Sequence, residues 1–223
     1  MSAIIQEPKY KTIVFDLDGT VLNTLDDLHD SCNYALRCHD LPTLTREQVR
    51  DFLGYGIKNL MDQATGTDCP EDLNDRVFLT FKKHYALHSA DKTQPYPGIL
   101  DLLEALSRQG VELAVLSNKA DFAVKALAER YFPVLFNVVV GNRCDVRLKP
   151  APDALEAIMD QLGSRPEDTC LVGDSETDFL CAQAAGCDFI GCAWGYRGHR
   201  KLQELGAETI CGDAYDLLKA LAC

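Results

Sequence analysis

The sequence has no apolar run approaching the roughly 20 residues needed to cross a bilayer, which excludes a membrane-spanning helix. Its first residues, Met1-Ser2-Ala3-Ile4-Ile5-Gln6-Glu7-Pro8, lack a basic stretch and a long apolar segment. No secretory signal is therefore expected, and the predicted location is cytoplasmic. Basic residues are scarce: 22 Lys and Arg stand against 34 Asp and Glu, a net charge of −12. That balance argues against a nucleic-acid backbone or an anionic membrane as partner. It leaves a small anionic substrate open, because a bound cation and a few lysines reverse the field locally. Among ten cysteines no pair has Cys-x-x-Cys spacing, and the five histidines do not cluster with them, so no zinc site is expected. Several cysteines sit in apolar stretches, as in Thr169-Cys170-Leu171-Val172 and Ile190-Gly191-Cys192-Ala193. Without an export signal they read as small buried hydrophobes rather than disulfides, with Cys223 the one expected to be exposed. There is no internal repeat and no low-complexity segment.

What is present begins with Lys11-Thr12-Ile13-Val14-Phe15-Asp16-Leu17-Asp18-Gly19-Thr20. The apolar run Ile13-Val14-Phe15 predicts a fully buried strand. It breaks at once into two acids one residue apart. Two carboxylates at close range repel, and neither leaves water cheaply. Turn chemistry accounts for Asp18-Gly19 but not for Asp16. A bound cation or a reaction accounts for both.

From Thr24 to Gln94 the texture is helical, with apolar residues at Leu25, Leu28, Cys32, Ala35 and Leu36 and again at Val77, Phe78, Phe81, Tyr85 and Leu87. Gly54-Tyr55-Gly56, Gly66 and Asp68-Cys69-Pro70 punctuate it, and Gln94-Pro95-Tyr96-Pro97-Gly98 reads as the return linker. Strands and helices then alternate. Strands are expected at 111–116, 138–140, 170–172 and 187–192, and helices at 99–109, 122–131, 152–162 and 179–185. A last helix, strand and helix cover 199–221. Repeated β-α units with apolar strands predict an α/β fold, a doubly wound parallel sheet covered by helices on both faces. The expected division is a core of residues 1–23 and 95–223 with a small α-helical domain, 24–94, inserted after the first strand.

In such sheets ligands sit at the carboxyl ends of the strands, and the polar residues fall there. Asp16 and Asp18 follow one strand, Ser117-Asn118 a second and Asp174 a third, and Lys149 lies on the loop after a fourth. Each alone is explained by helix capping or surface solvation. Capping does not predict all of them on one edge.

These segments, Asp16-Leu17-Asp18-Gly19-Thr20, Ser117-Asn118, Lys149-Pro150 and Gly173-Asp174-Ser175-Glu176-Thr177-Asp178, occur in an order and at separations that resemble the haloacid dehalogenase superfamily of aspartate-nucleophile phosphatases. The resemblance covers essentially the whole chain. The helical insert looks like the cap of the subclass that includes phosphoglycolate phosphatase, as do Val21-Leu22-Asn23-Thr24, Ser117-Asn118-Lys119 and Trp194-Gly195-Tyr196.

The resemblance implies a Rossmann-like core and a Mg²⁺-dependent phosphomonoesterase acting on a small phosphorylated metabolite, with phosphoglycolate the first candidate. Asp16 is then the nucleophile, forming an aspartyl-phosphate. Asp18 is the acid that protonates the leaving oxygen and later the base that activates water. Asp16, the backbone carbonyl of Asp18, and Asp174 would hold the magnesium, with Asp178 binding it or orienting its surroundings. Ser117 and Asn118 would hydrogen-bond the transferring group, Gly19 and Thr20 would let the backbone approach it, and Lys149 would balance charge. Gly54-Tyr55-Gly56 is a candidate closing loop. Lys58 is weighed as a contact for a substrate carboxylate against an ordinary solvated helix face. Gln63 stands where such phosphatases often carry a basic residue. Arg143, Arg147 and Arg197 are weighed as substrate contacts against surface solvation, which is the default.

A dehalogenase has no need of Asp18, and a phosphonate-cleaving relative usually lacks it. A β-phosphoglucomutase-like mutase would keep all four motifs, and a pyrophosphatase or a nucleotidase is a further alternative. A non-catalytic phosphate-binding module would have lost the nucleophile or Lys149. The expected partner is the metabolite alone, with no nucleic acid and no membrane, for a monomer or homodimer.

Overall fold

The computed structural model describes residues 9–143 and 146–222. β1 (Thr12–Phe15) is followed by β2 (Leu22–Asn23), then by α1 (Leu25–Cys38), α2 (Arg46–Phe52), α3 (Gly56–Thr65) and α4 (Glu71–His88). β3 (Gln94–Pro95) returns the chain. Next come α5 (Ile99–Arg108), β4 (Glu112–Ala120), α6 (Asp121–Tyr131), β5 (Val138–Asn142) and α7 (Asp153–Leu162). β6 (Thr169–Gly173), α8 (Glu176–Ala185), β7 (Asp188–Cys192), α9 (Gly198–Glu204), β8 (Thr209–Cys211) and α10 (Ala214–Ala222) complete it.

Six strands form one parallel sheet in the order β5-β4-β1-β6-β7-β8. β1 is central because it is apolar on both sides of the pleat. Ile13 and Phe15 join one core with α5, α6 and α10, while Val14 joins the opposite core with α7 and α8. The chain runs outward from β1 through β4 to β5, then crosses back to β6. The strand order therefore reverses at β1, which opens a crevice at the carboxyl end of that strand. Register sets what faces the crevice. Phe15 pairs with Val115 and with Val172, so the residues just past these points, Asp16, Ser117 and Asp174, emerge together.

The elements read from sequence are present, with shifted ends. α8 begins at Glu176 rather than Phe179, because Ser175 and Asp178 form a capping box ahead of it. β4 runs on from Leu116 to Ala120 through a register irregularity, so Ser117, Asn118 and Lys119 lie within an irregular strand end. None of the described cysteines is disulfide-bonded, and Cys32, Cys170, Cys181, Cys192 and Cys211 are buried. Cys223 lies outside the described residues. No helix among the described residues is long and apolar enough to cross a membrane.

Helices α1 to α4 bury their apolar faces against one another, in a cluster that includes Leu28, Leu36, Leu60, Met61 and Phe81. The chain leaves and re-enters the sheet side by side, because β2 and β3 pair antiparallel. Asp27 clamps this junction. It is buried, and its carboxylate accepts from the backbone N–H of Lys92 and Thr93 and from Thr93 Oγ1 at 2.7–3.0 Å. Asp27→Ala would strip these donors, of which those of Thr93 are buried, of their acceptor. It is expected to cost about 2–4 kcal/mol, read as a lower urea midpoint at unchanged m-value.

Candidate active site

At the carboxyl end of β1 three buried carboxylates, Asp16, Asp174 and Asp178, place ligand oxygens within 4.8 Å of one another. One ammonium is buried among them. Lys149 Nζ donates to Asp16 Oδ1 at 2.9 Å, to Asp178 Oδ1 at 2.6 Å and to the Leu116 carbonyl at 2.7 Å. The loop carrying Lys149 is held by Asn118, whose side chain accepts from Lys149 N and donates to Lys149 O, both at 2.9 Å. Sequence distance is thereby bridged by one amide.

The other partners are local. Asp178 Oδ2 accepts from the N–H groups of Asp174 and Ser175 and from Ser175 Oγ, so it fixes the turn between β6 and α8. Thr20 Oγ1 donates to Asp174 Oδ1 at 3.2 Å, and Tyr196 N donates to Asp174 Oδ2 at 2.6 Å. Thr20 is thus spent on Asp174. Gly19, at φ +91°, lies so close that a Cβ there would sit 2.5 Å from Asp174 Oδ2. Ser117 lines the cavity, with its Oγ also accepting from Lys119 N at 3.3 Å.

Three acids and one lysine leave this cluster short of positive charge. Burial pushes the Asp16 carboxyl up to about 7, against the pull of Lys149 and with Asp178 and Asp18 adding to the rise. Burial and then the charges of Asp16 and Asp178 push Asp174 well above the usual carboxylate range. Lys149 also holds its proton more tightly than usual: burial favours its neutral form, and the two acids more than reverse that. Such a site is suited to a hard divalent cation, which takes carboxylate oxygens and supplies the missing charge.

Asp18 is set apart from the cluster. It is partly exposed, and both its oxygens accept from Lys119 Nζ at 2.9 Å. Thr24 Oγ1 donates to its Oδ1 at 2.6 Å, and the Tyr196 hydroxyl supports Thr24 at 2.9 Å. Lys119, Thr24 and Tyr196 had no chemical role in the sequence reading. The segment Ser117-Asn118-Lys119 carries the family resemblance, but nothing in the neighbours of Lys119 along the chain shows that its ammonium is buried against Asp18.

The helical insert roofs the site. Leu28, Leu53 and Ile57 close a cavity of about 40 Å³ over Asp16, Ser117 and Asp174. Gly54 O accepts from Asn118 Nδ2 at 2.7 Å, so the Gly54-Tyr55-Gly56 loop rests on the sheet edge. Arg197, weighed as a substrate contact, lines the cavity while pairing with Glu176 and donating to the carbonyls of Arg50 and Leu53. Lys58 pairs with Asp62 and Gln63 with Asn59, both on a separate groove of the insert.

The close packing around Asp174 can be tested directly. A Cβ on Gly195 would fall 2.2 Å from that of Asp174. Gly195→Ala is expected to displace the carboxylate and weaken divalent-cation binding by about 10–100-fold, measured by titration calorimetry on protein whose far-UV spectrum is unchanged.

Comparison with known proteins agrees with this architecture. The family model for haloacid dehalogenase-like hydrolases matches residues 13–192. The chain is similar to a phosphoglycolate phosphatase of Mannheimia succiniciproducens, 32% identical over 95% of this chain and 98% of that protein. It is also similar to one of Chromobacterium violaceum, 33% identical over 94% and 96%. The crystal structure of a predicted phosphoglycolate phosphatase from Haemophilus somnus 129pt superposes with a TM-score of 0.89 at 30% identity, covering 95% of this chain and 98% of that one. With its β1 acids, its lysine loop and its acidic β6 turn, this chain belongs to the haloacid dehalogenase-like hydrolase family and is an enzyme.

Proposed function

We propose that the chain is a Mg²⁺-dependent phosphatase of small phosphomonoesters, with 2-phosphoglycolate the first substrate to try. The observation that carries this reading is the charge-deficient cluster of Asp16, Asp174 and Asp178 beside a second acid, Asp18, under a small roofed cavity. A phosphoryl group attacked by an anion needs its oxygens neutralised. Mg²⁺ held by Asp16, Asp174 and the Asp18 carbonyl, with Asp178 alongside, would offset that charge.

The residues of the chain divide the rest of the work. Asp18 takes a proton from solvent as it leaves Lys119; an Asp16 carboxylate oxygen then attacks phosphorus, the P–O bond to the alcohol breaks, and Asp18 passes that proton to the departing oxygen. The product on the enzyme is an aspartyl-phosphate. Asp18, now a carboxylate, takes a proton from water as that water attacks phosphorus, which frees Asp16 and releases phosphate. Lys149 holds Asp16 in place and stays charged, while Ser117 and adjacent backbone N–H groups receive the phosphoryl oxygens. Roofing by Leu28, Leu53 and Ile57 excludes bulk water, which strengthens each of these contacts. The relatives named phosphoglycolate phosphatase support the substrate.

Asp16→Asn keeps the shape and removes the attacking anion. It is expected to lower phosphoglycolate turnover by at least about 10⁴-fold with no loss of thermal stability. Turnover within tenfold of the parent enzyme would sink the mechanism. EDTA should silence the parent enzyme and added Mg²⁺ restore it; release of phosphate that persists after chelation counts against the metal.

A further inference from the structure

Three cations reach the cavity over Asp16: Lys149, Arg197 and Lys119. Two have partners unrelated to a ligand. Lys149 spends its three donors on Asp16, Asp178 and the Leu116 carbonyl. Arg197 is divided between Glu176 and two carbonyls of the roof. Lys119 is different. Its ammonium is buried, with Asp18 its one ion-pair partner among the described residues and the face of Tyr85 4.8 Å away. That partner is the side chain the proposed reaction sends to the leaving oxygen. Once Asp18 turns toward the ester, Lys119 is left buried without its anion. An uncompensated buried charge is costly, so the exchange is favoured when a second anion arrives with the substrate.

We propose that Lys119 is the specificity-determining residue of this enzyme, and that it reads a carboxylate on the carbon that bears the ester oxygen. The proposal rests on the phosphatase reading above, with Asp18 as proton donor. Spacing supports it. Lys119 Nζ lies 2.9 Å from both Asp18 oxygens in the paired state, so a rotation of the Asp18 side chain toward the ester leaves the leaving oxygen near the ammonium. In an O–CH₂–COO⁻ unit the ester oxygen and the nearer carboxylate oxygen are about 3 Å apart by ordinary bond lengths. A longer linker needs more room than this cavity, roofed by Leu28, Leu53 and Ile57, provides. The cavity of about 40 Å³ likewise favours a short acid. Neither Lys58 nor Gln63 reaches it, so the sensing group belongs to the sheet edge and not to the roof.

The test is steady-state kinetics with Mg²⁺ on 2-phosphoglycolate and on ethyl phosphate, which carries a methyl where the other carries the carboxylate. The parent enzyme is expected to prefer phosphoglycolate by about 30-fold or more in kcat/KM, mainly through KM. In Lys119→Met that preference should collapse to within about threefold, and in Lys119→Arg most of it should survive. Equal proportional losses on both esters in Lys119→Met would mark a structural role and overturn the proposal. Should Lys119→Met fail to fold, the parent enzyme still decides: equal kcat/KM on the two esters removes the role of Lys119 while leaving a phosphatase. A parent enzyme that hydrolyses neither ester brings down the phosphatase reading itself.

Discussion

The structure is organised around a deficit of positive charge in a dry place. Asp16, Asp174 and Asp178 are all buried, and of the described residues Lys149 supplies the one ammonium set among them. Taking a carboxylate out of water costs several kcal/mol unless a partner repays it. One lysine cannot repay three acids, and burial, with the neighbouring acids adding to it, raises the affinity of Asp16 and Asp174 for protons. Exposed pairs such as Arg46 with Asp26 or Arg76 with Asp72 contribute about 0–1 kcal/mol each and do not offset it. Stability comes instead from the two apolar cores on either face of the sheet, where each fully buried side chain such as Phe15 or Leu103 contributes about 1.5–3 kcal/mol. The cores carry a site that would not hold itself together.

The fold supplies the positions at which such a cluster can exist. A central strand flanked on both sides brings the ends of β4 and β6 level with its own. Backbone then has to approach the acids closely, which is why glycines surround them: a Cβ at Gly19 or Gly195 would overlap Asp174. Hydrogen bonds complete the placement. Asp178 ties the β6 turn to Lys149, and Asn118 ties the lysine loop to β4.

The insert and the sheet meet through polar contacts and a small apolar patch, where Ile57, Phe81 and Ala86 face Phe122 and Ala123. Its helices have their own cluster. Against the sheet edge it offers carbonyls, of Gly54 to Asn118 and of Leu53 and Arg50 to Arg197. Contacts of this kind can open without exposing a core, which fits a roof that must admit and release a ligand. Lys119 and Asp18 sit at this seam, between Tyr85 of the insert and Thr24 at its entry.

The sequence by itself determined the sheet, because a run such as Ile13-Val14-Phe15 is too apolar to sit anywhere but inside, and its period and neighbours leave few topologies. It also marked Asp16, Asp18, Ser117, Lys149 and Asp174, since acids, a hydroxyl and a lysine at the ends of buried strands are hard to explain otherwise. Element ends were less legible: the capping box that starts α8 at Glu176 depends on which side chains turn back to the backbone. Tertiary structure alone decided the pairings. Lys149 belongs to Asp16 and Asp178, Lys119 to Asp18, and Arg197 to the roof, whereas Lys58 faces a different groove. A lysine is the same residue in every sequence window, and its charge acquires a role only from the burial and the partner that the folded chain imposes.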